Sequence, residues 1–207
     1  HSVNDDTTLT AEIGTGHKCH YGLLFVKGQL LAEERFCLLI QAELLQPISA
    51  EGNGIEIVTG LGIINGKGNG SFCPDDNVTR EEFVKMIINA LSINGGDRTM
   101  QAFSDVEKDE WYYTFVEKAY SAGIISGYDN QSFGIGDCIT RQDMAKIAYG
   151  AALAAGKNGL TTVNDFTFAD DALIADYAKD AVYALYGAKV INGMTANTFE
   201  AHGFATR

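Results

Sequence analysis

GIISGYDNQSFGIGDCITRQDM, Gly123 to Met144, decides how this chain is put together, because it repeats an earlier stretch, GIINGKGNGSFCPDDNVTREEF, Gly62 to Phe83. Between the two, Gly66 and Gly127, Phe72 and Phe133, Thr79-Arg80 and Thr140-Arg141 all keep one offset of 61 residues. A third copy, VINGMTANTFEAHGFATR, sets Gly193, Phe199, Thr206 and Arg207 at a common offset of 66 from their counterparts in the second. Composition alone would let such positions drift, so fixed spacing across three copies is internal repetition. A repeat unit buries its apolar face on its neighbours, and the architecture follows from that. The five-residue difference in offset falls between copies two and three.

Working outward from these stretches, each copy reads as helix, loop, helix. In copy two a first helix over Trp111 to Ala122 carries Tyr112, Phe115, Val116 and Ala119 on one face, and Gly123 follows where a C-cap favours a left-handed residue. Thr140 then starts a second helix with the stripe Met144, Ile147, Ala148, Ala151 and Ala152. Copy one repeats that stripe as Phe83, Met86, Ile87, Ala90 and Leu91. Its own first helix, around Ile55 to Thr59, is short and poorly marked. Copy three has a first helix with Tyr177, Ala181, Ala184, Leu185 and Ala188 as its stripe, and the given sequence stops where the second would begin. The expected fold is all-α: a pseudo-threefold bundle of tandem helix-loop-helix repeats at 48–101, 102–165 and 166–207, the last incomplete. Residues 1–47 stay unassigned, with a possible helix over Ala32 to Leu45.

Composition narrows the function. The 207 residues are 46% hydrophobic, enough for a sizeable core, and 27 acidic against 15 basic residues give a net charge of −12. That balance argues against nucleic acid, whose binding depends on Lys and Arg at phosphates. No run of about 20 apolar residues is present, so membrane insertion is not expected. The four cysteines, Cys19, Cys37, Cys73 and Cys138, have no CxxC spacing. His17, Cys19 and His20 are crowded, but a structural zinc site needs four ligands. No GxSxG or HExxH pattern marks an enzyme, and the acidic loops near Asp75 and Asp129 miss the EF-hand form. We expect no catalysis, no cofactor and no metal.

The repeated residues divide into two classes. Thr79 with Glu82, and Thr140 with Asp143, have the Thr-x-x-acid form of a capping box, which satisfies donors that the first helical turn leaves free. Arg80, Arg141 and Arg207 are not explained by capping, since a cation in the first turn faces the positive end of the helix dipole. Two readings fit them: an internal salt bridge to an acid of the next repeat, or a forked donor for a ligand carboxylate or phosphate. Gly66, Gly127 and Gly193 allow a tight loop and leave backbone open to a ligand. Trp111, with Tyr177 one copy on, reads first as core and second as a stacking face for a sugar ring.

A Phe-x-Asp-Val turn (FSDV from Phe103), an aromatic-bearing helix, GIISGYDNQSF and ITRQD together resemble the S-layer homology domain over roughly residues 48–207. The likeness is strongest in copy two. The resemblance implies a pseudo-threefold helical unit, with the first helices in a central bundle and the Thr-Arg helix starts bordering grooves between motifs. It also implies secretion to the bacterial surface and non-covalent anchoring to the cell wall or S-layer through secondary cell wall polysaccharide, often through a pyruvylated N-acetylmannosamine. The ketal carboxylate would meet Arg80, Arg141 and Arg207. Thr79, Thr140, Gly66, Gly127, Tyr128 and Trp111 would complete the ligand-binding set. On this reading Arg141→Ala should cut wall binding and leave the fold intact. The alternative is a structural helical repeat for surface-layer self-assembly without glycan binding. Copy one lacks the FSDV turn and the Trp, and copy three ends at Arg207 with no acid after it.

Overall fold

Repeats one and two each open their second helix at the Thr-Arg pair. The computed structural model describes residues 58–67, 71–94, 102–128, 131–163 and 165–207. Within them lie α1 (Arg80–Ala90), α2 (Tyr113–Ser121), α3 (Arg141–Ala154), a 3₁₀ turn (Asp171–Leu173) and α4 (Asp176–Gly187). Residues 58–60 are the helical end of the first element of repeat one. The possible helix at Ala32 to Leu45 and the His17, Cys19, His20 cluster lie outside the described residues. The chain is all-α, and among the described residues β-pairing is confined to isolated bridges.

The second-helix stripes are buried as their spacing demands. Phe83, Met86, Ile87, Ala90 and Leu91 are buried in repeat one, and Met144, Ile147, Ala148, Ala151 and Ala152 in repeat two. α3 runs one turn further than its counterpart, 14 residues against 11, which absorbs part of the longer offset to copy three. The stripe of α4 is shifted from expectation. Ala178, Ala181, Val182, Ala184 and Leu185 are buried, while Tyr177 is 52% exposed and Ala188 is an exposed C-cap. Tyr177, in the first turn, is drawn instead to Asp143. Packing runs from the second helix of one repeat to the first helix of the next, α1 on α2 and α3 on α4, with α1 also on α3. Among the described helices these are the principal contacts, rather than a central bundle of first helices.

The pseudo-threefold axis is built from the residues just before each Thr-Arg pair. Antiparallel bridges join Asn77 to Thr206, Thr79 to Cys138 and Thr140 to Phe204, so every repeat touches both others. Val78 N–H donates to the Ala205 carbonyl and Ile139 N–H to the Val78 carbonyl, each at 2.9 Å. Val78 and Ile139 are fully buried there. The backbone of Arg207 closes the circle, donating to the Asp76 carbonyl at 3.0 Å.

A clamp at the start of each later repeat fixes the loop that follows. Asp105 of the FSDV turn accepts from the backbone N–H groups of Phe133, Gly134 and Ile135 at 2.7, 2.8 and 3.1 Å. Asp170 of FADD does the same for Phe199 and Glu200 at 2.8 and 2.7 Å. Phe103 packs on Phe133 and Phe168 on Phe199, ring centroids 5.7 and 5.6 Å apart. Burial would raise both carboxyls, yet the backbone donors outweigh it and hold Asp105 and Asp170 below the ordinary carboxylate range.

A depressed folded-state pKa stabilises the fold above the ordinary carboxylate value, and that contribution is lost as pH falls through the folded value. Melting temperature should therefore drop on acidification below about pH 4. Asp105→Asn should melt lower than wild type at pH 7 and show a shallower acid dependence, measured by circular dichroism across the pH range.

Candidate functional site

Each motif arginine reaches out of its own repeat into the loop of the next. Arg80 Nε donates to the Phe133 carbonyl at 3.0 Å, its guanidinium lies 5.1 Å from that ring centroid, and Nη1 binds Asp143 at 2.9 Å. Arg141 repeats the geometry on repeat three, with the Phe199 carbonyl at 2.9 Å, the Asn192 carbonyl at 2.9 Å and the Phe199 ring at 4.8 Å. Arg207 returns to repeat one: Nε to the Phe72 carbonyl at 3.2 Å, Nη1 to Glu82 at 2.6 Å, Nη2 to the Asn65 carbonyl, and the guanidinium 5.6 Å from the Phe72 ring. The internal salt bridge is thus present for Arg80 and Arg207, each with an acid of the repeat it enters. Arg141 uses carbonyls, and burial lowers its pKa from the ordinary value against the pull of Glu200 and Asp170. Arg80 and Arg141 are each only 6% exposed. Replacing Arg141 by Ala strips a partner from the buried Phe199 carbonyl and from that of Asn192, so the change is expected to lower stability as well as wall binding.

The neighbouring motif residues hold this arrangement. Thr140 Oγ1 accepts from the Asp143 N–H at 3.3 Å, and the Thr79 N–H donates to Glu82 at 3.2 Å, the two halves of a capping box. The Glu82 carboxylate so serves both the cap and the incoming arginine, while Asp143 meets the cap through its backbone N–H and the arginine through its carboxylate. Gly127, at φ +72°, would drive a Cβ into the Phe103 ring and to 2.7 Å from the Ser132 carbonyl. At Gly66 a Cβ would lie 2.8 Å from the Ser71 carbonyl. These glycines are demanded by loop closure.

A groove of about 300 Å³ lies where Arg207 meets the loop of repeat one, lined by Asn65, Gly66, Lys67, Glu82, Lys85, Met86, Trp111 and Arg207 among others. Trp111 is 49% exposed, so the reading of it as core is corrected: it closes the groove's wall while Tyr112 beside it takes the buried place. The groove lining holds three cations, Lys67, Lys85 and Arg207, against one acid, Glu82. Lys67 Nζ pairs with Glu82 at 3.2 Å and Asp76 at 4.0 Å.

The corresponding surface one repeat on has different chemistry. Tyr128 takes the place of Lys67 and Tyr177 that of Trp111, 43% and 52% exposed. Arg80 lies 4.8 Å from the Tyr128 ring, and the Tyr177 hydroxyl donates to Asp143 at 2.7 Å. Burial and then that hydrogen bond push the Tyr177 phenol well above its ordinary pKa. On the third surface, around Arg141, Met194 stands in the equivalent place and is 56% exposed. No cluster of His, Cys, Asp and Glu that could hold a metal occurs among the described residues, and no helix there is long and apolar enough to cross a membrane.

Three arginines thus grip three loops in a cycle, and the Phe-x-Asp turns of repeats two and three clamp the loops of those repeats. The sequence profile of the S-layer homology domain matches residues 45–84, 102–145 and 167–207. The chain belongs to the S-layer homology family. It is 36% identical over 154 residues to an amylopullulanase of Thermoanaerobacterium thermosulfurigenes, covering 74% of this chain and 8% of that protein. An exoglucanase, XynX, of Acetivibrio thermocellus is 35% identical over 153 residues, 74% of this chain and 14% of its own. The surface-layer 125 kDa protein of Lysinibacillus sphaericus is 30% identical over 144 residues, 69% of this chain and 12% of its own. The chain therefore spans less than a sixth of the length of these relatives. As a set of S-layer homology motifs it is a cell-wall anchoring module of a surface protein.

Sequence reasoning found the arginines and the capping pairs. It missed Asp105 and Asp170 as loop clamps, although both follow a phenylalanine in the quoted FSDV and FADD turns, and it missed Lys85. Disrupting one staple should be costly. Arg80→Met leaves Asp143 and the Phe133 carbonyl without their partner and should cost about 3 kcal/mol in urea unfolding. A double-mutant cycle with Asp143→Asn should give a coupling of about 1–3 kcal/mol.

Proposed function

We propose that the module binds a carboxylate-bearing secondary cell wall polysaccharide, a pyruvylated sugar in particular, in the grooves that Arg80, Arg141 and Arg207 build between repeats. Thr79, Thr140, Gly66 and Gly127 set the groove walls, and Tyr128 and Trp111 offer faces for sugar rings. The observation that carries this reading is the groove beside Trp111, where cations outnumber acids three to one in a chain of net charge −12. An exposed indole next to a local excess of positive charge suits a sugar that has an apolar face and an anionic substituent. A volume of about 300 Å³ is at the small end for ligand clefts, suited to one or two sugar units of a longer polymer. The module is non-catalytic on this reading, and any activity of the parent protein resides elsewhere in its chain.

Co-sedimentation with Gram-positive sacculi tests it, in parallel with sacculi stripped of secondary polysaccharide by hydrofluoric acid. The module should pellet only with unstripped walls. Pelleting with neither, from a folded sample, contradicts glycan anchoring, and concentration-dependent self-association in the absence of wall favours the self-assembly alternative.

Ionic strength separates local from long-range charge. The Debye length is about 30 Å at 0.01 M and about 8 Å at 0.15 M, so added salt screens the repulsion between an acidic module and an anionic polymer while contacts inside the groove persist. Wall binding should strengthen between those two concentrations, measured as the fraction pelleted.

A further inference from the structure

The motif arginines are largely occupied. All three guanidinium nitrogens of Arg207 have protein partners: the Phe72 carbonyl, Glu82 and the Asn65 carbonyl. Lys67 faces Glu82 and Asp76. Lys85 is the remaining cation of the same groove, and among the described residues it makes no ion pair. Its ammonium lies 5.3 Å from the Trp111 ring centroid and 5.9 Å from that of Phe115. The Asn65 amide also meets it, its oxygen accepting from Nζ at 3.0 Å in the orientation that satisfies the amide's neighbours. Lys85 sits on α1 between Glu82 and Met86, inside the groove lining and half-buried.

We infer that Lys85, held over Trp111, is the residue that reads the acidic substituent of the bound sugar, and that Arg207 acts by positioning the groove. This rests on the glycan-binding reading above and assigns its anion selectivity to one side chain. A cation on an aromatic face is partly desolvated and has N–H donors left to point outward, so a carboxylate entering the groove gains a charge-assisted hydrogen bond without displacing a protein acid. Three of the five N–H donors of Arg207 are committed to the Phe72 and Asn65 carbonyls and Glu82, and its side chain is only 4% exposed, so it offers a ligand far less than Lys85 does. The equivalent position one repeat on carries Lys146, but there the aromatic is Tyr177, tied to Asp143 at 2.7 Å. Both surfaces keep the acid of the Thr-Arg-x-acid motif, Glu82 here and Asp143 there, but only the first sets a lysine over an indole and adds Lys67 where the second has Tyr128, so anion selectivity belongs to the Lys85 groove.

The probes are N-acetylmannosamine bearing a 4,6-pyruvate ketal and the same sugar without it, titrated into the full 207-residue chain by calorimetry or by NMR shifts of the Trp111 indole N–H. Wild type should prefer the ketal sugar. Lys85→Met should lose about tenfold or more for the ketal sugar, the ordinary worth of one charged hydrogen bond, and bind both sugars alike. Lys85→Arg should retain the preference, and Lys146→Met should leave it unchanged. Thermal melts of the variants confirm folding, which a half-buried surface lysine is not expected to disturb. Wild-type preference in folded Lys85→Met overturns the assignment while leaving glycan anchoring intact. Wild type blind to the ketal, yet pelleting with unstripped sacculi, also overturns it. Wild type that binds neither sugar and does not pellet fails the glycan-binding reading itself.

Discussion

A buried guanidinium lying on the phenylalanine ring of the next repeat, and donating to that phenylalanine's own carbonyl, is the interaction on which the rest of this structure depends. It occurs at Arg80 on Phe133, Arg141 on Phe199 and Arg207 on Phe72. A loop rich in Gly, Asn and Asp has little apolar surface with which to hold itself, and its backbone carbonyls must find donors once buried. The arginine supplies donors and a flat face together, which lysine could not. Because the third arginine returns to the first repeat, the contacts form a cycle, and each repeat is both gripped and gripping.

That cycle explains why the motif is Thr-Arg-x-acid rather than any one of those residues. Threonine starts the helix, the residue three on meets it at the cap, through its carboxylate at Glu82 and its backbone N–H at Asp143, and that residue's carboxylate receives the arginine of the preceding repeat, as Asp143 does for Arg80 and Glu82 for Arg207. A cation in the first turn of a helix is poorly placed with respect to the dipole. Here it is offset by carbonyls, a carboxylate and an aromatic face in the adjoining loop. The aspartates of the Phe-x-Asp turns work from the opposite side, accepting the N–H groups of the loop whose carbonyls the arginines take. Loop donors and loop acceptors are satisfied by two separate sources.

The helices and their starts were legible in the sequence because capping and apolar spacing are local signals. Phe83 to Leu91 and Met144 to Ala152 needed only their own periodicity. The arginine partners were not legible, since Arg80, Arg141 and Arg207 reach across 53, 58 and 135 residues to the carbonyls they bind. Trp111 and Tyr177 misled for a related reason. Trp111 falls just before α2 and Tyr177 in the first turn of α4, and an aromatic at a helix start can swing toward a surface that only the adjoining repeat creates. The three surfaces differ because the loop residue after the repeated glycine varies, Lys67, Tyr128 and Met194 in turn, and this sets one cationic surface beside one lined by tyrosines.

Cyclic closure is the central claim, and native-state hydrogen exchange tests it most directly. The amides of Val78, Ile139, Arg141 and Arg207 each donate across a repeat boundary. If the three repeats are one closed unit, these amides exchange through the same global opening, with one free energy that falls together with denaturant. If the amides of Val78 and Arg207 open at a distinctly lower free energy than those of Ile139 and Arg141, the ring is not closed at repeat one, and the account is wrong.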